Sequence, residues 1–276
     1  MNRRAFTLIE LLIVITIIGL LVGISFTVGG KVIDCGKRTA TEQTLRVLDT
    51  ALSAYKSAKD DLPPVQCVYV APTGGPREVW PMSDLRDMAS TAGQRGGQPI
   101  VPGGNQMINS VGFFLYEALK VPQAKAAIDQ LPTKFVSTFD IDGEGDNQPE
   151  LVTVFDAWNN PIRFVHPALD GIMPGESETG NIDLAAQRLG PPPPGTTYAI
   201  TQVRRNRSEE QQPPPVAAQD FGDGDGARCV GASGYFYSAG PDGKVGVSRD
   251  GSGKIVEDFN SDNVYSKAPT FPINKN

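Results

Sequence analysis

The chain has 276 residues, with 31 acidic against 25 basic side chains, a formal charge of −6 and a single histidine. The acidic balance, without a basic patch interleaved with aromatics, argues against a nucleic-acid-binding protein, and one histidine excludes a multi-histidine metal centre. This length holds one apolar segment plus one or two folded units. The three cysteines, none in a CxxC spacing, give no support to zinc or thioredoxin-like chemistry.

Residues 6–28 read FTLIELLIVITIIGLLVGISFTV, apolar almost throughout and long enough for a bilayer, which needs roughly 20 such residues. Only MNRRA precedes them, with Arg3 and Arg4. A secretory signal fits poorly, because its apolar core is roughly 7–15 residues and no A-x-A site stands before Lys31. The basic start and the acidic bulk behind it leave the N-terminus in the cytoplasm and the rest outside. One charge interrupts the run, Glu10. An ionised carboxylate in hydrocarbon costs roughly 2.5–3.5 kcal/mol even on lenient scales, so Glu10 needs a cationic partner.

The short basic leader, the small residue, Phe6-Thr7-Leu8, the acid at Glu10 and the apolar helix behind it resemble the class III leader of type IV pilins and type II secretion pseudopilins. The resemblance implies that a prepilin peptidase cuts between Ala5 and Phe6 and methylates the new amine, which takes the formal charge to −8 as Arg3 and Arg4 leave. Ala5 stands where the family usually carries Gly. It further implies that Glu10 meets the Phe6 amine of a neighbouring subunit as helices join a filament. Pairing two buried charges recovers much of what burying either alone costs. Implied partners are copies of this chain or other pilin-like subunits, the peptidase and an inner-membrane assembly platform. Gly19 and Gly23 form a GxxxG pair, either incidental or a close-packing face in the filament bundle. The competing class is an anchored extracytoplasmic binding or enzymatic domain that never assembles.

No proline occurs in residues 1–62, so the helix is expected to continue as an amphipathic segment over 29–61. Bending or local melting is expected at Gly29, Gly30 and Gly36. Leu45, Leu48, Leu52 and Tyr55 recur at helical spacing, widened by Ala51, Ala54 and Ala58, and form a stripe that lies on something apolar. Pro63 and Pro64 place the stop near Asp60 or Asp61. The whole helix would be roughly 80 Å long at about 1.5 Å per residue.

Residues 62–276 form the head. Residues 65–106, rich in Gly and Pro, read as an elaborated loop with a short helix around 82–89. Asn109 or Ser110 caps a helix carrying Val111, Phe114, Leu115, Ala118 and Leu119, and Pro122 opens a second one ending near Leu131. Residues 151–155 and 161–165 flank the turn-prone AWNN and read as a hairpin. Residues 197–203 and 235–237 supply further strands, and the proline runs 191–194 and 213–215 bracket surface loops. A long helix followed by short antiparallel strands indicates an α+β fold.

Two segments extend the resemblance: DAWNNPIRFV (156–165) is similar to the D-x-W-x-N-P segment of the major pseudopilin, and YSAGPDGKVG (237–246) to its Y-S-x-G-x-D-G segment. The stretches 65–106 and 171–227 look like insertions. The resemblance implies a calcium ion held by Asp242, Asp258, Asp262 and Asn263, for which a flexible oxygen-rich loop is suited. PDG is equally a good hairpin turn. Asp140, Asp142, Glu144 and Gly145 open like an EF-hand loop, but Leu151 stands where the closing Glu belongs. Asp220, Asp223 and Asp225, among glycines and again without a closing acid, read as a solvated turn sooner than as a cation site, and Arg204, Arg205 and Arg207 as a solvated loop. His166 reads as structural and no nucleotide-binding or hydrolase motif occurs, so the expectation is a non-enzymatic subunit driven by another protein's ATPase. Outside the cytoplasm one disulfide is permitted, and Cys67–Cys229 is the expected pair, since Cys35 lies on the helix above the membrane.

Overall fold

The computed structural model describes residues 8–70, 77–82, 110–139, 151–170, 197–198, 225, 227–249 and 255–271. One helix, α1, occupies Leu8–Lys59 without interruption. It passes as helix through Gly29, Gly30 and Gly36, where bending or local melting was expected. An interior glycine costs only about 1 kcal/mol against alanine, and a helix already propagating on both sides carries such a residue. The threonines do not compete with the ladder: Thr16, Thr39, Thr44 and Thr50 each donate back to the carbonyl four residues earlier, at 2.8–3.0 Å. Asp60 ends α1 with φ 56°, the Asp61 carboxylate accepts the Leu62 N–H at 2.7 Å, and the prolines follow.

Beyond α1 come β1 (Gln66–Val70), β2 (Arg77–Pro81), α2 (Ser110–Ala118), α3 (Pro122–Ile128), β3 (Val136–Phe139), β4 (Leu151–Val154), β5 (Arg163–Val165), β6 (Thr197–Tyr198), β7 (Tyr235–Ser238), β8 (Val247–Arg249), β9 (Ile255–Asp258) and β10 (Val264–Tyr265). The class is α+β, as expected. Leu45, Leu48, Ala51, Leu52 and Tyr55 are at most 7% exposed and pack with α2, α3, β5 and β7 into one core. At its centre Phe114, Phe164 and Phe236 stack with centroids 4.8–5.2 Å apart. Pro122 opens α3 as predicted. Ser110 does something else: its hydroxyl accepts the Phe164 N–H at 2.8 Å, which ties α2 to β5.

The hairpin expected across AWNN forms only at its turn. Phe155 bridges Pro161, and Asn159 takes φ 80°. Beyond it β4 pairs with β3, while β5 pairs with β7 in the sheet β10-β7-β5. All of β5 is buried, so its partner had to come from the core, and Phe164 sits opposite Phe236. The stretch read as loop after Val65 holds an antiparallel pair, β1 and β2, with Cys67 opposite Trp80. β6 joins β2 in parallel, so the two insertions share one sheet. Two five-residue strands amid a Gly- and Pro-rich stretch give too little periodicity to be read in advance. At the base of the second insertion the Asp170 carboxylate accepts the Cys229 N–H at 2.7 Å. The proline runs, most of residues 82–89 and 199–203, and the EF-hand-like acids at 140–145 lie outside the described residues.

Candidate functional site

The first candidate is the start of α1. Its described large apolar side chains, from Leu8 at 82% exposed to Leu20 at 62%, are exposed on every face. A Cβ added at Gly19 would meet nothing within 4 Å, so this glycine serves no packing within the chain. A helix apolar all round is stable only when something outside the chain covers it. Among the described residues no helix is long and apolar enough to cross a membrane. Residues 1–7, with Ala5 and Phe6, and the side chains of Glu10 and of residues 21–29, around Gly23, lie outside the described set.

The second candidate is the C-terminal loop, reached from α1 through a buried carboxylate. Asp156, 1% exposed, accepts the N–H groups of Trp158 and Asn160, both at 2.8 Å, and the Ser238 hydroxyl. Burial pushes its carboxyl up to about 6, against the pull of these hydrogen bonds. The same turn binds α1, since Ala157 N–H donates to Thr41 Oγ1 at 3.1 Å, and it binds the loop, since Asn160 Nδ2 donates to the Gly240 carbonyl. Gly240 has φ +68°, and an added Cβ would stand 2.6 Å from the Asp262 carbonyl oxygen. Only glycine permits both.

Around that contact lie the four residues expected to hold calcium. Asp242 is exposed, and its Oδ1 accepts the Lys244 N–H at 2.8 Å. Asp258 is exposed and caps the 3-10 turn Phe259–Asp262 through the Asn260 N–H at 3.0 Å. Burial, then the neighbouring Asp242 carboxylate, pushes the Asp262 carboxyl up, while the Asp242 N–H and Arg38 pull it down. Asp262 Oδ1 and Asn263 Oδ1 are buried and meet no hydrogen-bond donor among the described residues. Also among the described residues, no three His, Cys, Asp or Glu side chains converge as a metal cluster. The loop instead leaves two buried oxygens without a donor among the described residues, one carboxylate and one amide, on consecutive residues. That donor set is all oxygen, and its two unpartnered acceptors fit a hard cation.

The expected Cys67–Cys229 bond is absent, and none of the three cysteines is in a disulfide. Cys67 is buried in the main core on β1 and donates to Glu117 Oε1 at 3.4 Å. Burial, then the Glu117 carboxylate, raises its thiol far above the ordinary range. Cys229 packs on a different cluster, against Val165, Tyr235 and Tyr237. His166 is structural: Nδ1 accepts the Ala168 N–H at 3.1 Å, which leaves Nε2 to donate to the Pro63 carbonyl at 3.0 Å. Burial lowers its pKa, countered by Pro63 and the nearby Asp61 and Asp170.

Asp225 corrects the reading of its segment as a solvated turn. It is 2% exposed, and its carboxylate accepts the Tyr235 hydroxyl and the Ala227 N–H. Among glycines it carries no sequence signal beyond being the last acid before β7. Asp220 and Asp223 lie outside the described residues.

A model of the prokaryotic N-terminal methylation motif matches residues 1–26, which covers the leader and the first turns of α1. No curated protein and no solved structure matches the chain. The chain therefore carries a type IV pilin-like class III leader of the kind that a prepilin peptidase processes.

Proposed function

We propose that the protein is a structural, non-enzymatic subunit of a type II secretion pseudopilus or type IV pilus-like filament. The observation that carries this reading is the conjunction of a methylation motif over residues 1–26 with a helix whose described first turns expose their apolar side chains on every face. The chain is inserted in the inner membrane with its N-terminus in the cytoplasm and its head in the periplasm. It is cut between Ala5 and Phe6, methylated on Phe6, and polymerised on an assembly platform with its own copies or other pilin-like subunits. Glu10 pairs with the Phe6 amine of the adjoining copy and sets register, with Gly19 and Gly23 at the close-packed bundle.

Calcium belongs to this reading. Asp242, Asp262 and Asn263, with Asp258 at the loop's edge, would hold it, and the ion would supply the positive charge that the two unpartnered oxygens lack. The chain's own residues do the rest. Asp156 holds Asn160 and Ser238, which clamp the Gly240 carbonyl and N–H, and Gly240 seats against Asp262.

Mass spectrometry of the native N-terminus tests the proposal: a methylated Phe6 is expected, and an intact Met1 would overturn it in favour of a non-assembling anchor. Glu10→Ala is expected to leave membrane insertion intact and abolish incorporation into filaments. Unchanged incorporation removes the role given to Glu10.

A further inference from the structure

We infer that Asp225, at the end of the second insertion, is a positioning residue for the cation loop. The inference rests on the calcium reading above and adds a residue from outside the segments that carry the family resemblance. The Asp225 carboxylate is held by the Tyr235 hydroxyl at 3.0 and 2.8 Å and by the Ala227 N–H at 3.0 Å. This fixes the Asp225 backbone, whose carbonyl accepts Asn260 Nδ2 at 2.9 Å. Asn260, 9% exposed, then has its amide orientation decided. Its Oδ1 accepts the Gly246 N–H at 2.9 Å and Asn263 Nδ2 at 3.0 Å, and a flipped amide would set donor against donor at these two contacts and acceptor against acceptor at the Asp225 carbonyl.

The relay continues one residue further. Asn263, 5% exposed, uses both amide protons, one on Asn260 Oδ1 and the other on the Tyr265 hydroxyl at 3.1 Å. Its Oδ1 is thereby the atom left over, buried and without a donor among the described residues. An acceptor so fixed cannot turn away to recover a hydrogen bond. The sequence Asp225 carbonyl, Asn260 amide, Asn263 oxygen thus preorganises a ligand atom for a cation before any cation arrives. Partners that orient ligands in this way typically change affinity by about 10- to 100-fold when removed.

The test is a calcium titration of the mature full-length chain in detergent, read by calorimetry well below the unfolding temperature. Asp225→Ala and Asn260→Ala are each expected to weaken calcium binding about 10- to 100-fold. The double variant is expected to lose no more than the worse single one, because both cut the same relay. Asp225→Asn, which retains a carbonyl acceptor for Tyr235, is expected to stay within a few-fold of the wild type. It also serves as the folded control should Asp225→Ala not fold. Calcium binding by Asp225→Ala and Asp225→Asn equal to the wild type, while Asp262→Asn abolishes it, overturns the inference and leaves the calcium reading standing. Additive losses in the double variant also overturn it, as a general weakening of the fold would produce them. Absence of binding by the wild type itself overturns both.

Discussion

The two ends of α1 obey the same local rules and live in opposite surroundings. From Leu8 to Leu20 the described apolar side chains are exposed, 45% or more, whereas Leu45, Leu48 and Ala51 are fully buried and Leu52 and Tyr55 nearly so. One helix therefore carries two different commitments. The later turns are satisfied by the chain's own head; the earlier turns present apolar surface that the described residues leave exposed. Exposed apolar surface of that extent on a soluble molecule marks an interaction site. The difference teaches that the head's stability and the protein's assembly are separable properties.

Paired truncations test that separation most strongly. Leu48→Ala is expected to destabilise the head by about 2–5 kcal/mol, as for other large-to-small core changes. Leu12→Ala should change it by less than about 0.5 kcal/mol. Denaturant unfolding of the detergent-solubilised chain, followed by tryptophan fluorescence, measures both. Equal effects would erase the contrast.

A second effect sharpens the picture at the junction between α1 and the loop. The Asp156 carboxyl holds its proton more tightly folded, at about 6, than unfolded, at 3.8. Its contribution to stability is therefore full below pH 3.8 and is lost as pH rises through about 6, a swing of about 3 kcal/mol. His166 runs the other way. Its lowered pKa gives a contribution present above 6.5 and lost as pH falls below it. Asp156→Asn should remove the first and keep the second, so the variant's unfolding midpoint should fall more steeply than the wild type's between pH 7 and 4. Parallel pH profiles would mean that Asp156 is not the group responsible. In the loop itself, Gly240→Ala forces a positive φ and a close approach to the Asp262 carbonyl, with an expected loss of about 1–3 kcal/mol in the same assay. The smallest effect belongs to the ion pair between Asp49 on α1 and Lys267, 2.7 Å apart and partly exposed: Lys267→Ala should cost less than about 1 kcal/mol.

The sequence made the long features legible and the short ones opaque. α1 was readable because absent prolines and a sustained apolar stripe over Leu45, Leu48, Leu52 and Tyr55 are signals that accumulate over many turns. Pro122 at the first turn of α3 was readable because its meaning is local. The partner of β5 was not, since pairing Phe164 with Phe236 is settled by a core assembled from residues far apart in the chain. Gly30 and Gly36 misled for the opposite reason: their intrinsic preference is weak beside the cooperativity of the helix around them. At the loop, the P-D-G turn at Asp242 was legible from YSAGPDG, and Gly243 takes φ 70° there; the role of Gly240 was not. Asp225 was not, because a buried acid among glycines looks no different from a solvated one until Tyr235 is placed beside it.

The bond from Cys229 N–H to the Asp170 carboxylate joins positions fifty-nine apart in the chain. The second insertion therefore leaves and rejoins the head at a single doorway. By the general rule for loop closure, each doubling of the length between two such tied ends adds only about 0.6 kcal/mol of entropic cost. A change of length between those two ends is thus expected to cost the aromatic centre of the head little stability.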